Sequence, residues 1–199
     1  MSDPVQAVVL AAGRSTRMGR QKLLMPFGGE PILDRVLRTV TACGFEKTIA
    51  VVSRETEGLL SPVRGVIYLI NPDPDRGQDS SFRRGLKALD DGSSFALFLG
   101  DKPLITASQI QDLKRRFLDS PKSALVPQRD GVPGHPGFYE PLWRERFLRP
   151  GAARATLFRY ADDVQWTPGH ESCFFDVDTP EDYRRLESNV QTYFGRTDS

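Results

Sequence analysis

An apolar run, Val5 to Leu10, empties directly into Ala11-Ala12-Gly13-Arg14-Ser15-Thr16-Arg17-Met18-Gly19-Arg20-Gln21-Lys22. This junction constrains the fold more than any other stretch of the chain. The run reads as a buried first strand. The loop after it carries Gly13 and Gly19, which let backbone N–H groups approach an anion closely, and Arg14, Arg17, Arg20 and Lys22 supply positive charge. A strand that opens into such a loop is a phosphate-binding arrangement. It is not a Walker A loop, because no Gly-Lys-Ser/Thr triplet ends it, and it is not the Gly-x-Gly-x-x-Gly dinucleotide fingerprint. The competing reading is a basic surface loop after an edge strand.

Beyond the loop, apolar positions recur in an alternating pattern of helices and strands. Ile32, Leu33, Val36, Leu37 and Val40 fall at helical spacing, and Cys43-Gly44 ends that helix. Thr48 to Val52 and Val66 to Ile70 are the second and third strands, with a short helix expected around Glu55 to Leu60. Asn71 to Ser81 reads as a long polar loop, after which Phe82, Leu86 and Leu89 mark a helix face. Phe95 to Leu99, apolar throughout, is expected to be a central strand. Thr106 to Gln109 is a capping box that opens a helix with Ile110, Leu113 and Phe117 on one face. Another strand spans Ser123 to Pro127, Asp130-Gly131 signals a hairpin turn, and helices follow at Trp143 to Phe147 and Gly151 to Tyr160. The sum is a three-layer α/β fold around a mostly parallel sheet. With 199 residues the chain suits a single domain, here residues 1–193, with 194–199 fraying.

Two carboxylates stand out. In open α/β sheets the ligand lies beyond the carboxyl ends of the strands. Asp101 sits there, two residues past the central strand, and could hold Mg²⁺ with phosphate oxygens completing the shell. A lone aspartate after a strand also serves as a turn residue. Near the C-terminus, Thr179, Pro180 and Asp182 form a strong helix start, but capping explains neither Asp176 nor Asp178. Capping by Asp79 or Ser80 is likewise an alternative to a ligand role for the polar loop. His135, between Gly134 and Pro136, is on its own merely a loop residue. His170 and Cys173 lie in a polar stretch with no second ligand and read as structural or exposed.

Composition closes off several functions. Lys plus Arg number 27 against 26 Asp plus Glu, which argues against a general nucleic-acid binder while permitting a local anion site. No apolar stretch is long enough to span a bilayer, and the N-terminus lacks a signal pattern. Cys43 and Cys173 are too few for a disulfide framework, so a cytoplasmic home is expected.

Leu10-Ala11-Ala12-Gly13, followed by Arg17-Met18-Gly19 and Lys22, resembles the signature loop of the nucleotidyltransferases of molybdenum cofactor biosynthesis. The Leu-Ala-Ala-Gly form is similar to the cytidylyltransferase branch, whereas the guanylyltransferase branch usually shows Leu-Ala-Gly-Gly. Gly100-Asp101-Lys102-Pro103, Gly134-His135-Pro136 and Asp176-Val177-Asp178-Thr179-Pro180-Glu181-Asp182 resemble the other motifs in the expected order. The resemblance implies a Rossmann-like three-layer nucleotidyltransferase fold, with a small β-appendage at 127–140 on the acceptor side. It implies Lys22, Arg17 and Asp101 as catalytic residues, and Mg²⁺ on Asp101 and Asp178. Leu10, Ala11, Ala12, Gly13, Arg14, Gly77, Ser80 and Ser81 are implied at the nucleotide, and His135 and Gly134 at the acceptor. Asp79 departs from the small neutral residue usual in its place. Lys102 departs from an uncharged one, and either adds a phosphate contact or points outward.

The activity implied is transfer of CMP from CTP to the phosphate of molybdopterin. The acceptor phosphate attacks the α-phosphorus in line and pyrophosphate leaves, by positioning and charge neutralisation without a covalent intermediate. The product could pass to a molybdenum hydroxylase apo-enzyme; no nucleic acid or membrane partner is implied. The same scaffold also activates sugar phosphates and methylerythritol phosphate, which is the second reading. A non-catalytic cofactor-binding or insertion factor is the third.

Overall fold

The computed structural model describes residues 4–13, 15, 18–74 and 77–188. Arg14 and Arg17, expected at the nucleotide, lie outside the described residues, as do Val190, the boundary at 193 and the tail 194–199. In chain order the elements begin with β1 (Val5–Ala11), the short pair β2 (Pro26–Phe27) and β3 (Glu30–Pro31), α1 (Ile32–Thr41), β4 (Thr48–Ser53) and α2 (Arg54–Glu57). They continue with β5 (Val66–Asn71), α3 (Gln78–Lys87), β6 (Ser94–Leu99), α4 (Ala107–Leu118), β7 (Ala124–Arg129), β8 (Val132–Pro133) and β9 (Gly137–Tyr139). Then come α5 (Leu142–Leu148), α6 (Ala153–Arg159), β10 (Val164–Pro168) and α7 (Pro180–Ser188).

All of β1 is buried, because parallel strands flank it on both sides: Val8 pairs with Ile49 of β4 and with Leu97 of β6. Its period-two alternation then feeds two cores. Val5, Ala7, Val9 and Ala11 enter one with Leu33, Val36 and Leu37 of α1, Ile110 and Leu113 of α4, and Tyr183 and Leu186 of α7. Val8 and Leu10 enter the other with Phe82 and Leu86 of α3, Trp143 and Phe147 of α5, and Leu157 of α6. Two cores on opposite faces of one sheet make the three layers.

The sheet order is β10-β7-β9-β6-β1-β4-β5, with β8 paired only to β7. β9 runs antiparallel between β6 and β7; the other strands of the main path are parallel. Within 127–140, expected as a small β-appendage, the end of β7 and all of β9 belong to the main sheet, and β8 alone lies off its path, in a hairpin with β7. Its turn residues Asp130 (φ 51°) and Gly131 (φ 75°) both take positive φ, as a two-residue hairpin turn of this hand needs. Among the described residues no helix is long and apolar enough to cross a membrane.

Three boundaries differ from expectation. α2 stops at Glu57 rather than continuing to Leu60. β10 was not expected: it pairs on one side only, with β7, and its burial does not alternate, so no period marked it. α3 begins at Gln78, so Asp79, Ser80 and Ser81 form its first turn rather than a loop. Gly77, at φ 80°, is the residue before that turn, and neither Asp79 nor Ser80 caps the helix. Ser80 Oγ instead donates to the Gly77 carbonyl at 2.8 Å.

Candidate active site

The carboxyl ends of β1 and β6 meet at Gly100, whose N–H donates to the Leu10 carbonyl at 2.9 Å. A Cβ on Gly100 would stand 3.1 Å from Ala11 Cβ and Leu33 Cδ1 and 3.2 Å from the Leu10 oxygen. A bare backbone is therefore what lets Asp101 turn in beside the first loop. The Asp101 carbonyl accepts the Val177 N–H at 3.2 Å, which lays the distant segment 176–178 alongside it. Asp182 then fixes that segment: its Oδ2 accepts from Thr179 N at 2.8 Å, Thr179 Oγ1 at 2.8 Å and Asp178 N at 3.2 Å. The Asp182 N–H donates back to Thr179 Oγ1 at 3.1 Å, a reciprocal cap at the start of α7.

Lys22 reaches both carboxylates. Ser15 has φ 52°, and its Oγ accepts the Lys22 N–H at 3.0 Å and donates to Gln21 Oε1 at 2.8 Å. Gln21 Nε2 closes the loop onto the Gly13 carbonyl at 3.3 Å. Lys22 Nζ then lies 2.5 Å from Asp101 Oδ2 and 2.7 Å from Asp178 Oδ1. Burial pushes the Lys22 pKa down, but the two carboxylates outweigh it and hold the ammonium above its ordinary value. An ammonium has three protons to donate, so one remains for a ligand in the cleft.

These residues line a cleft of about 460 Å³. Leu10, Ala11, Ala12 and Gly13 line it together with Gly77, Gln78 and Ser81, and Lys22, Asp101, Asp176 and Asp178 supply its charged groups. Ser80 stands off the lining, tied by Asn71 Nδ2 at 2.8 Å, while Ser81, bonded by the same nitrogen at 2.9 Å, reaches it. The donor set fits Mg²⁺. Asp101 Oδ1 is buried and has no hydrogen-bond partner among the described residues, so it is an oxygen with unmet demand beside a second carboxylate. Among the described residues no group of three or more His, Cys, Asp and Glu side chains forms a metal cage, so phosphate oxygens would have to complete the shell.

A second cavity of about 580 Å³ adjoins the first across Leu10, Gln78 and Leu99. His135, Phe82, Arg83 and Arg154 line it. His135 is half-buried and lines this cavity. Burial, with the Lys102 charge adding to it, pushes its pKa down to about 4. The imidazole is therefore neutral at neutral pH. Nδ1 faces the Leu97 carbonyl at 3.4 Å, which can only accept, so Nε2 is left with a lone pair. Gly134 is buried against Phe174 and the Cys173 carbonyl, where a Cβ would stand 2.7 Å from Phe174 Cε1. Its place is in packing the turn that carries His135, and it does not line either cavity.

The two departures from the usual motifs also find partners. Asp79 Oδ2 accepts from Arg83 Nε at 2.6 Å, and Arg83 goes on to donate to the Leu148 and Arg149 carbonyls at 2.6 and 2.9 Å. Asp79 thus sets the arginine at the rim of the second cavity. Lys102 neither lines the first cleft nor points outward: it is buried, with Nζ 2.6 Å from Asp176 Oδ1. Burial pushes the Asp176 pKa up, against the pull of Lys102. Gln78, Arg83 and Arg154 are lining residues that sequence reasoning missed. Only the spacing of Asp79 and Arg83, four apart on one helix, could have pointed to any of them.

The family described as the MobA-like NTP transferase domain matches residues 7–162. The molybdenum cofactor cytidylyltransferase of Escherichia coli (strain K12) is 25% identical over 189 residues, covering 90% of this chain and 93% of that protein. The bifunctional protein GlmU of Alkalilimnicola ehrlichii is 31% identical over 165 residues, or 78% of this chain. The aligned part is 32% of GlmU, so the chain spans about a third of that relative's length. A solved nucleotidyl transferase from Methanothermobacter thermautotroptrophicus superimposes with a TM-score of 0.80 at 22% identity, covering 95% of this chain and 98% of that one. That likeness is one of fold.

Proposed function

The chain belongs to the family of MobA-like NTP transferase domains, and on that premise we propose that it transfers CMP from CTP to the phosphate of molybdopterin, releasing pyrophosphate. The observation that carries the reading is Lys22 Nζ within 2.5 and 2.7 Å of Asp101 and Asp178, at the end of a cleft walled by the Leu10–Gly13 loop. A cation poised between two carboxylates, beside backbone N–H groups that follow a strand, suits a triphosphate.

In this mechanism the 10–13 backbone and Lys22 bind the triphosphate, the Lys22 ammonium leaving its carboxylates to donate hydrogen bonds to phosphate oxygens. Asp101 and Asp178 would hold Mg²⁺, which supplies charge neutralisation at the phosphate oxygens when bound. Gly77, Gln78 and Ser81, which also line the cleft, orient the nucleoside. The acceptor's phosphate enters from the second cavity and attacks the α-phosphorus in line. Both cavities open on Leu10, Gln78 and Leu99, so donor and acceptor can meet there. The attacking oxygen is already anionic, so no general base is required. His135, being neutral, would offer Nε2 as an acceptor to an N–H or hydroxyl on the acceptor's body; it has no charge to give a phosphate.

CTP and molybdopterin are favoured by the Leu-Ala-Ala-Gly loop and by the full-length likeness to the cytidylyltransferase. The 31% identity to part of GlmU keeps a sugar phosphate as the second reading. Pyrophosphate release with Mg²⁺, testing CTP, GTP, UTP and ATP in turn against molybdopterin, separates them. Release with CTP that is abolished in Asp101→Ala supports the cytidylyl reading and the carboxylate assignment together. Release with another nucleotide keeps the mechanism and overturns the choice of base. Silence with all four on molybdopterin and turnover of a sugar phosphate moves the assignment to the second reading.

A further inference from the structure

Three carboxylates line the charged end of the cleft, but they are not equivalent. Asp101 and Asp178 share Lys22, whose side chain leads back to the first loop. Asp176 is held by a different cation, Lys102, at 2.6 Å. The side chain of Lys102 is 5% exposed and that of Asp176 39%, so the ammonium lies inside the protein and the carboxylate on the cleft wall. A buried ammonium without its partner is strongly destabilising; Lys22 is also nearly buried, with its side chain 11% exposed, but it lines the cleft and Lys102 does not. Lys22 can release its carboxylates to a cation and turn to a phosphate. Lys102, buried and off the cleft lining, has Asp176 as its partner. The two residues of this inner pair also lie close in sequence to the outer one, Lys102 directly following Asp101 and Asp176 preceding Asp178 by two.

We propose that Lys102 is a positioning residue that withholds Asp176 from the divalent-cation site, leaving Asp101 and Asp178 as the only carboxylates that hold the cation. The inference rests on the nucleotidyl-transfer reading above. It gives a reason for a lysine at a position where a charged side chain has no contact with the substrate cleft. A resident positive charge offsets one of three carboxylates at an end of the cleft that must receive a polyanion.

The test is Mn²⁺ alone, titrated into the full chain and followed by the loss of the free-ion paramagnetic resonance signal. Lys102→Met frees Asp176 and removes the nearby positive charge, so it should bind Mn²⁺ about ten-fold more tightly than the wild type. Lys102→Met with Asp176→Asn removes the pair without changing the net charge, and leaves neither group buried and unpaired. It should bind Mn²⁺ within about threefold of the wild type. An unchanged affinity in Lys102→Met overturns the inference. So does a loss of about ten-fold or more in the double variant, which would make Asp176 a ligand in its own right. If Asp101→Asn binds Mn²⁺ as well as the wild type does, the parent assignment of the cation site fails too. If Asp101→Asn loses binding while Lys102→Met changes nothing, only the role of Lys102 falls.

Discussion

The Val177 N–H donates to the Asp101 carbonyl at 3.2 Å, and this bond couples the carboxylate after β6 to the one before α7. Neither is placed by its own element alone. Asp101 follows a strand whose end is fixed by Gly100, and Asp178 precedes a helix whose start is fixed by Asp182. The backbone bond between them sets the separation that Lys22 spans.

Asp182→Ala tests this arrangement from a distance. It removes the acceptor shared by Asp178 N, Thr179 N and Thr179 Oγ1 while leaving Asp178 itself intact. A lost helix cap costs on the order of 1 kcal/mol, read as a small drop in melting temperature. The rate of pyrophosphate release should fall further than that, by about ten-fold, because a ligand misplaced by a fraction of an ångström is costly. A rate that merely tracks the stability loss would separate the cap from the site.

Lys22→Met removes the cation between Asp101 and Asp178, and should lower pyrophosphate release by about 10²–10³-fold. It also leaves two carboxylates facing each other without their shared counter-charge. Mg²⁺ should therefore raise the melting temperature of Lys22→Met more than that of the wild type, where the cation must first displace Lys22. Thermal unfolding with and without Mg²⁺ checks this. Equal shifts in both proteins would mean the ion does not bind where Lys22 stands.

Much of the site was legible because its signals are local. The run into Gly13, the aspartate two residues after β6 and the Thr179–Asp182 cap are each read within a few residues; the first two line the cleft, and the cap holds Asp178, which lines it too. The first turn of α3 was not legible. It is Gln-Asp-Ser-Ser, without an apolar residue to give it helical period, and Gly77 starts it through backbone conformation rather than a side-chain cap. Nor was the burial of Lys102. A lysine in a turn reads as solvated, and only a carboxylate far along the chain makes burial tolerable. β10 failed for the same reason: its strand character comes from pairing with β7, and Val-Gln-Trp-Thr-Pro does not announce it.

The depressed pKa of His135 links stability to pH. With a folded value of about 4 against an ordinary 6.5, the unfolded chain binds the proton first as pH falls. Stability is therefore fully present above pH 6.5 and declines as pH drops toward about 4. The contribution lost over that window is on the order of 2–3 kcal/mol. His135→Asn has no such group, so the difference in urea midpoint between wild type and variant should shift in the variant's favour as pH falls from neutral. A difference that stays constant across the window would mean that His135 is not held neutral by its surroundings.

Gly100→Ala asks whether close approach of backbones, rather than the identity of the carboxylate, sets the site. The added Cβ would press on Ala11, Leu33 and the Leu10 carbonyl at 3.1–3.2 Å, and the last of these is backbone that cannot turn aside. Overpacking of this size costs about 1–3 kcal/mol. The strain falls between β1 and the residue that carries Asp101, so the separation of Asp101 from Lys22 should widen with it. Pyrophosphate release should drop by about ten-fold or more, with Mn²⁺ binding weakened in parallel. Gly85→Ala is the matched control: its Cβ would meet Val8 Cγ1 at 2.5 Å on the face of β1 beneath α3, away from the carboxylates. It should lower stability comparably while leaving Mn²⁺ affinity near that of the wild type. If both variants lose affinity alike, the cation site is sensitive to general loosening of the sheet, and the particular role given to Gly100 is withdrawn.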